Sequence, residues 1–206
     1  MTNRLSGVAR AVLWTLVFAY SVHSAKAQEL VLGSTIPGSD VELQNVTGGT
    51  ISISGLTGDA ATVVVFWSNQ CPWIEKYTGR FNAIVNDFSE RGVKFVLVNS
   101  NDGDAYPQES LEQSVAAARG FGQGVSYVSD QSSDLARAFG AERTPHVYIF
   151  DGAGELAYVG AIDDSPGDPD NVTSQYFRQA LDAVTGGRSV PVPTTKAFGC
   201  MIKFKS

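Results

Sequence analysis

A cysteine that opens a helix is the first residue of this chain able to do chemistry. The run Thr62-Val63-Val64-Val65-Phe66-Trp67 is β-branched, aromatic and uncharged, the composition of a strand buried on both faces. Ser68-Asn69-Gln70-Cys71-Pro72-Trp73 follows it directly. Pro72 suits the first helical position, where its missing N–H is not needed. Cys71 then falls at the N-cap, with unpaired backbone N–H groups and the positive end of the helix dipole facing its sulfur. That position favours the thiolate, the reactive form in exchange and oxidation. The spacing points to thiol chemistry at Cys71, with a purely structural cysteine as the bland alternative.

The second cysteine, Cys200, lies near the other end of the chain. An even count in an exported chain raises the prospect of pairing. A native bridge over so long a loop would stabilise the fold by roughly 5 kcal/mol in the chain-entropy account, so a permanent structural bridge competes with a reactive one. His146 is the sole histidine beyond the amino-terminal segment. It assembles neither a metal cluster nor a nucleophilic triad and reads as a core or rim residue. The loop Asn99-Ser100-Asn101-Asp102-Gly103-Asp104 gathers carboxylates without the glycine and glutamate spacing of an EF-hand. No metal and no cofactor are expected.

The amino terminus carries Arg4 and Arg10, an apolar stretch from Ala11 to Val22, and Ala25-Lys26-Ala27, the pattern of a cleaved signal peptide over residues 1–27. The apolar stretch is about a dozen residues where a spanning helix needs roughly 20, and no later stretch is longer. An exported protein without a membrane span is expected, in a bacterial periplasm or outside the cell. Removing Arg4, Arg10 and Lys26 leaves 12 basic residues against 21 acidic, a net charge of −9. Such a balance argues against nucleic acid or an anionic membrane as partner. The remainder fits one domain over residues 28–187 and a tail over 188–206 that carries Cys200.

The elements that must position Cys71 are legible in outline. Val41-Glu42-Leu43 and Ile51-Ser52-Ile53 around Gly48-Gly49 predict a hairpin laid ahead of the main sheet. Ile74, Tyr77, Phe81, Ile84, Val85 and Phe88 recur at helical spacing after Pro72, with Gly92 as the stop. Val93 to Val98 returns as a buried strand, completing a right-handed crossover unit. Ser110 to Arg119, Ser132 to Phe139 and Ser174 to Val184 predict helices, and Ser126 to Val128 a short strand. Thr144-Pro145 leads into the strand His146 to Asp151, where proline cannot donate to the ladder, so a special turn with a cis bond is expected. Leu156 to Val159 completes a second hairpin. The tail from Ser189 is proline-rich and extended, free to swing or to lie across the surface. Asn45-Val46-Thr47 and Asn171-Val172-Thr173 match the glycosylation sequon but read as ordinary loops.

These marks together resemble the thioredoxin-like superfamily. They are Leu32-Gly33-Ser34-Thr35-Ile36-Pro37, Phe66-Trp67 ahead of Cys71, and Thr144-Pro145. The resemblance covers roughly Leu30 to Val184 and is to the redoxin branch, related to alkyl hydroperoxide reductase and thiol-specific antioxidant proteins. It is closest to an exported bacterial group with a Cys71-Pro72-aromatic turn, Asn101-Asp102 with Tyr106-Pro107, Ile162-Asp163-Asp164-Ser165, and a Gly199-Cys200-x-Ile202-Lys203-aromatic-Lys205 ending. It implies an α/β fold, a central mixed β-sheet flanked by helices, with the added amino-terminal hairpin. The chain departs from a thioredoxin in having Ile74 where the second cysteine of a C-x-x-C pair would stand, and Val65 in place of the buried carboxylate. It departs from a peroxiredoxin in having Val64 at the upstream proline, although Ser68 and Cys71-Pro72 fit, and Arg143 stands at an imperfect place.

The resemblance and the residues together imply a thiol-disulfide oxidoreductase. In it Cys71 attacks a disulfide or oxidised sulfur, and Cys200 resolves the mixed disulfide, because a lone nucleophile would be trapped as an adduct. Pro145 and Thr144 would present backbone to an extended substrate segment, while Pro72, Trp73 and Asn69 would line the approach. Trp67 is as well suited to the core, and Asn69 and Gln70 could donate to the reacting sulfur or merely solvate the loop. The expected partners are a protein or small-molecule disulfide or thiol and an electron donor of unspecified kind. A two-cysteine peroxidase acting on peroxide, and a redox-inert binding module with a permanent Cys71–Cys200 bridge, are the alternatives.

Overall fold

The computed structural model describes residues 30–206, so the signal-peptide expectation for residues 1–27 lies outside the described residues. The frame is a seven-stranded mixed sheet. Strand β3, Ala61–Trp67, lies inside the sheet between two neighbours, and all seven of its residues are buried, as an uncharged β-branched run requires. Helix α1, Pro72–Phe88, carries the chain back to β4, Val93–Asn99, which pairs parallel to β3 with Val65 opposite Leu97. Helix α2, Leu111–Ala118, leads to β5, Val125–Ser129, parallel to β4. After α3, Asp134–Phe139, come the two-residue strand β6, Arg143–Thr144, and β7, His146–Asp151, antiparallel to β3. Strand β8, Leu156–Gly160, pairs antiparallel to β7, and α4 is Tyr176–Thr185.

Alternation along β3 divides the core. Val63, Val65 and Trp67 face the layer of α1 and α4, with Tyr77, Phe81, Phe88 and Phe177. Val64 and Phe66 face the opposite layer, with Leu135 and Phe139 of α3 and Tyr148. The α1 residues expected inside are buried, and Gly92 follows a short helical turn with φ of +77°. In α4 the buried set is Phe177, Ala180, Leu181 and Ala183, while Tyr176 and Val184 pack at its margin. Among the described residues no helix is long and apolar enough to cross a membrane.

One expectation is corrected. The amino-terminal hairpin, β1 (Leu43–Asn45) and β2 (Thr50–Ile51), does not lie ahead of the sheet but extends it, with Gln44 and Asn45 pairing antiparallel to Ser129 and Val128 of β5. The reason is that β5 would otherwise end the sheet with an unpaired edge. Of the two courses open to it, the tail lies across the surface. Strand β9, Cys200–Met201, pairs antiparallel to β6, and the chain is held on both sides of it. Upstream, Thr195 N donates to Val159 O at 3.0 Å, and Thr195 Oγ1 accepts from Ala161 N at 2.9 Å. Downstream, Ile202 is 4% exposed in the α3-side core, and its N–H donates to Glu142 O at 2.9 Å. Lys203 N donates to Asn101 Oδ1 at 3.0 Å, and Lys205 N donates to Ser133 Oγ at 2.9 Å. The polar loop after β4 is thus the seat of the tail, and Lys205 Nζ pairs with both Asp102 and Asp104 there.

Candidate active site

Cys71 sits where β3 ends and α1 begins, at the N-cap with Pro72 beside it in the first turn. The turn between them is held by Ser68. Its Oγ accepts from Gln70 N at 3.3 Å and Cys71 N at 3.2 Å, which turns its own hydrogen toward the carboxylate of Glu109. Glu109 is 1% exposed. Its Oε2 also accepts from Asn69 N at 2.9 Å and Asn99 Nδ2 at 3.0 Å, and Lys203 Nζ lies 3.8 Å from Oε1. A buried carboxylate with this many donors is a compensated charge. Glu109 was not among the residues expected at the site. Its only signal in the sequence is a carboxylate one residue ahead of Ser110, the α2 N-cap, where it reads as an ordinary exposed helix-terminal acid.

The two cysteines meet. Cys71 and Cys200 form a disulfide with Cα atoms 6.0 Å apart, 129 residues apart in sequence. Strand β9 makes the meeting possible: Cys200 pairs with Thr144 and Met201 with Arg143, directly ahead of the cis Thr144–Pro145 bond. Cys71 Sγ lies 3.5 Å from Thr144 O, a contact rather than a hydrogen bond because the bridged sulfur carries no proton. Arg143 Nη1 donates to Gly199 O at 3.0 Å, so the guanidinium holds the tail and is not aimed at Cys71.

Of the residues expected to line the approach, Pro72, Thr144 and Pro145 lie around the bridge. Trp73 meets the Phe198 ring edge-on at 4.7 Å, so the tail covers it on that side. Asn69 is turned away from the sulfur. Its amide donates to Gln108 O and Ser114 Oγ, both at 3.0 Å, and its Oδ1 accepts from Tyr127 OH at 2.6 Å. Gln70 is exposed, and Trp67 is core at 1% exposure. Cys71 itself, with Trp67, Ile74, Thr78 and Phe121, lines an open cleft of about 320 Å³ beside the turn.

His146, next after the cis proline, is buried with Nδ1 3.2 Å from Tyr148 OH, and burial pushes its pKa down to about 4. Between about pH 4 and the unfolded value near 6.5 the unfolded chain binds the extra proton. Stability therefore rises with pH through that window and is lost as pH falls, by up to about 3 kcal/mol. Urea midpoints at pH 4.5 and 7.5 should differ more in the parent chain than in His146→Gln.

Residues 32–159 match the AhpC/TSA family model, more than half of the chain. Two solved structures superpose on most of it. A hypothetical protein from Sinorhizobium meliloti 1021 is 31% identical, with a TM-score of 0.79, covering 87% of this chain and 97% of that one. An uncharacterized conserved protein from Geobacillus kaustophilus is 37% identical, with a TM-score of 0.78, covering 85% and 93%. Among curated proteins, the thiol-disulfide oxidoreductase ResA of Halalkalibacterium halodurans is 22% identical over 117 residues, 57% of this chain. The match spans 62% of the length of that relative. With the sheet order and helix layers described above, the chain belongs to the AhpC/TSA family and has the thioredoxin-like fold.

Proposed function

We propose that this protein is an exported thiol-disulfide oxidoreductase with Cys71 as nucleophile and Cys200 as resolving cysteine. The observation that carries the proposal is that β9 holds Cys200 against Thr144, beside Cys71 at the head of α1. In the reduced chain the helix terminus favours the Cys71 thiolate, which attacks a substrate disulfide and displaces one substrate thiolate. Cys200, already at hand, attacks the Cys71 sulfur of the mixed disulfide, releases the second substrate thiolate and closes the bridge. Ser68 and Glu109 keep the turn in register through the cycle. Export is supported by Arg4, Arg10 and the Ala25-Lys26-Ala27 signal pattern.

In Cys200→Ser the mixed disulfide has no internal thiol to resolve it. Disulfide-linked adducts on Cys71 should accumulate, and steady-state turnover of a disulfide substrate should fall on the order of 100-fold while the first attack persists. Non-reducing gels followed by mass mapping check this. One observation favours a second reading, a structural bridge in an inert module: the tail is anchored on both sides of Cys200 independently of the sulfurs. A bridge that resists reduction well below about −300 mV would decide for that reading.

A further inference from the structure

The two sulfurs of the bridge differ in access, in the charge around them and in how well each would leave. Cys71 lines the open cleft beside the turn yet is only 4% exposed, packed in the α1-side cluster with Trp67 and Ile74. Cys200 is partly exposed, in a strand whose neighbours Phe198 and Met201 are 45% and 66% exposed. The guanidinium of Arg143, bonded to Gly199 O, brings positive charge next to it. Only Cys71 stands at a helix N-terminus, where a departing thiolate is stabilised; Cys200 stands in a two-residue strand with no such field. Exchange runs faster through the accessible sulfur and the better leaving thiolate.

We propose that the thiol that reduces this protein attacks Cys200 Sγ and expels Cys71 as the thiolate. The step rests on the exchange reading and assigns its reductive half. A reductant thiolate forms a new S–S bond to Cys200, the bond between the two cysteines breaks, and its electron pair leaves on Cys71 Sγ. No proton moves in that step. A second thiolate of the reductant then attacks the reductant's own sulfur in the mixed disulfide, becomes oxidised with it, and frees Cys200. The anchors at Thr195 and at Ile202 to Lys205 hold the strand throughout, so Cys200 can meet the reductant without the tail leaving the surface. The same protein thus uses different sulfurs for its two partners: Cys71 toward the molecule it reduces, Cys200 toward the molecule that reduces it.

The test uses the oxidised full chain and glutathione as probe, quenched in acid at times short against re-closure, then alkylated and mapped by mass. The expected result is glutathione on Cys200 and an alkylated Cys71, in roughly tenfold or greater excess over the reverse. Glutathione mainly on Cys71, or an equal split, overturns the assignment while leaving the exchange reading intact. A bridge that no thiol opens in the folded chain overturns the exchange reading and this step with it. Met201→Glu, at an exposed side chain, gives an independent measure. It should slow opening by anionic glutathione roughly threefold relative to neutral 2-mercaptoethanol, because like charge at the attacked sulfur repels the thiolate. An unchanged ratio counts against attack at Cys200.

Discussion

Gly199→Ala should leave Cys71 and Cys200 largely as free thiols in redox buffers that bridge the parent chain. Gly199 has φ of +149°, where a side chain is strained, and a Cβ there would lie 2.0 Å from Thr144 O and 2.7 Å from Thr144 C. Those are backbone atoms of β6, so nothing can rotate out of the way. The start of β9 must lift from Thr144, and Cys200 is carried off with it. A clash of this kind costs about 1–3 kcal/mol, a shift of roughly 5- to 150-fold toward the thiols in the equilibrium with a thiol buffer. Thiol titration across glutathione ratios checks it, and the fold should persist because the frame lies elsewhere. Gly160→Ala is the companion: its Cβ would meet Thr195 Oγ1 at 2.0 Å and Thr195 O at 2.5 Å, breaking the upstream anchor. If Gly199→Ala bridges as readily as the parent, the β6–β9 pairing is not what brings the sulfurs together.

Glu109→Ala should be the most destabilising single change at the site. It removes the acceptor of Ser68 Oγ, Asn69 N and Asn99 Nδ2 and the counter-charge of Lys203, at a residue only 1% exposed. Each neutral donor left unsatisfied costs roughly 1–3 kcal/mol and three lose this acceptor, while Lys203, 30% exposed, can turn to solvent. Glu109→Gln keeps one acceptor oxygen and should fall between the parent and Glu109→Ala. Urea unfolding of the oxidised proteins gives the ordering. The rate at which a small alkylating agent reaches Cys71 in the reduced proteins reports on the turn itself, and it should rise in the order parent, Glu109→Gln, Glu109→Ala. Equal stabilities would show that the Ser68 turn holds without its carboxylate.

What could be read from residue order was local. The run Thr62 to Trp67 announced a doubly buried strand because its composition admits no exposed face, and Pro72 placed Cys71 at the N-cap because proline tolerates so few helical positions. The face of α1 followed from its period. The polar loop after β4 was legible only as carboxylates without metal-site spacing; that Asn101, Asp102 and Asp104 receive the backbone and lysines of the tail lay outside any local pattern. Asn69 read either as a donor for the sulfur or as loop solvation, but its neighbours in space are Gln108, Ser114 and Tyr127, all at least 39 residues away in sequence.

The sequence by itself therefore determined the α/β class, the strand-turn-helix that carries Cys71, and the two candidate sulfurs. Those depend on composition, period and chain-local sterics, which act over a few residues. Only the tertiary structure decided that the tail ends in a docked strand, that Glu109 lies buried beneath the Cys71 turn, and that the two cysteines differ in exposure. Each of these depends on which distant backbone happens to present an unpaired edge or an unfilled donor, and residue order carries no record of that.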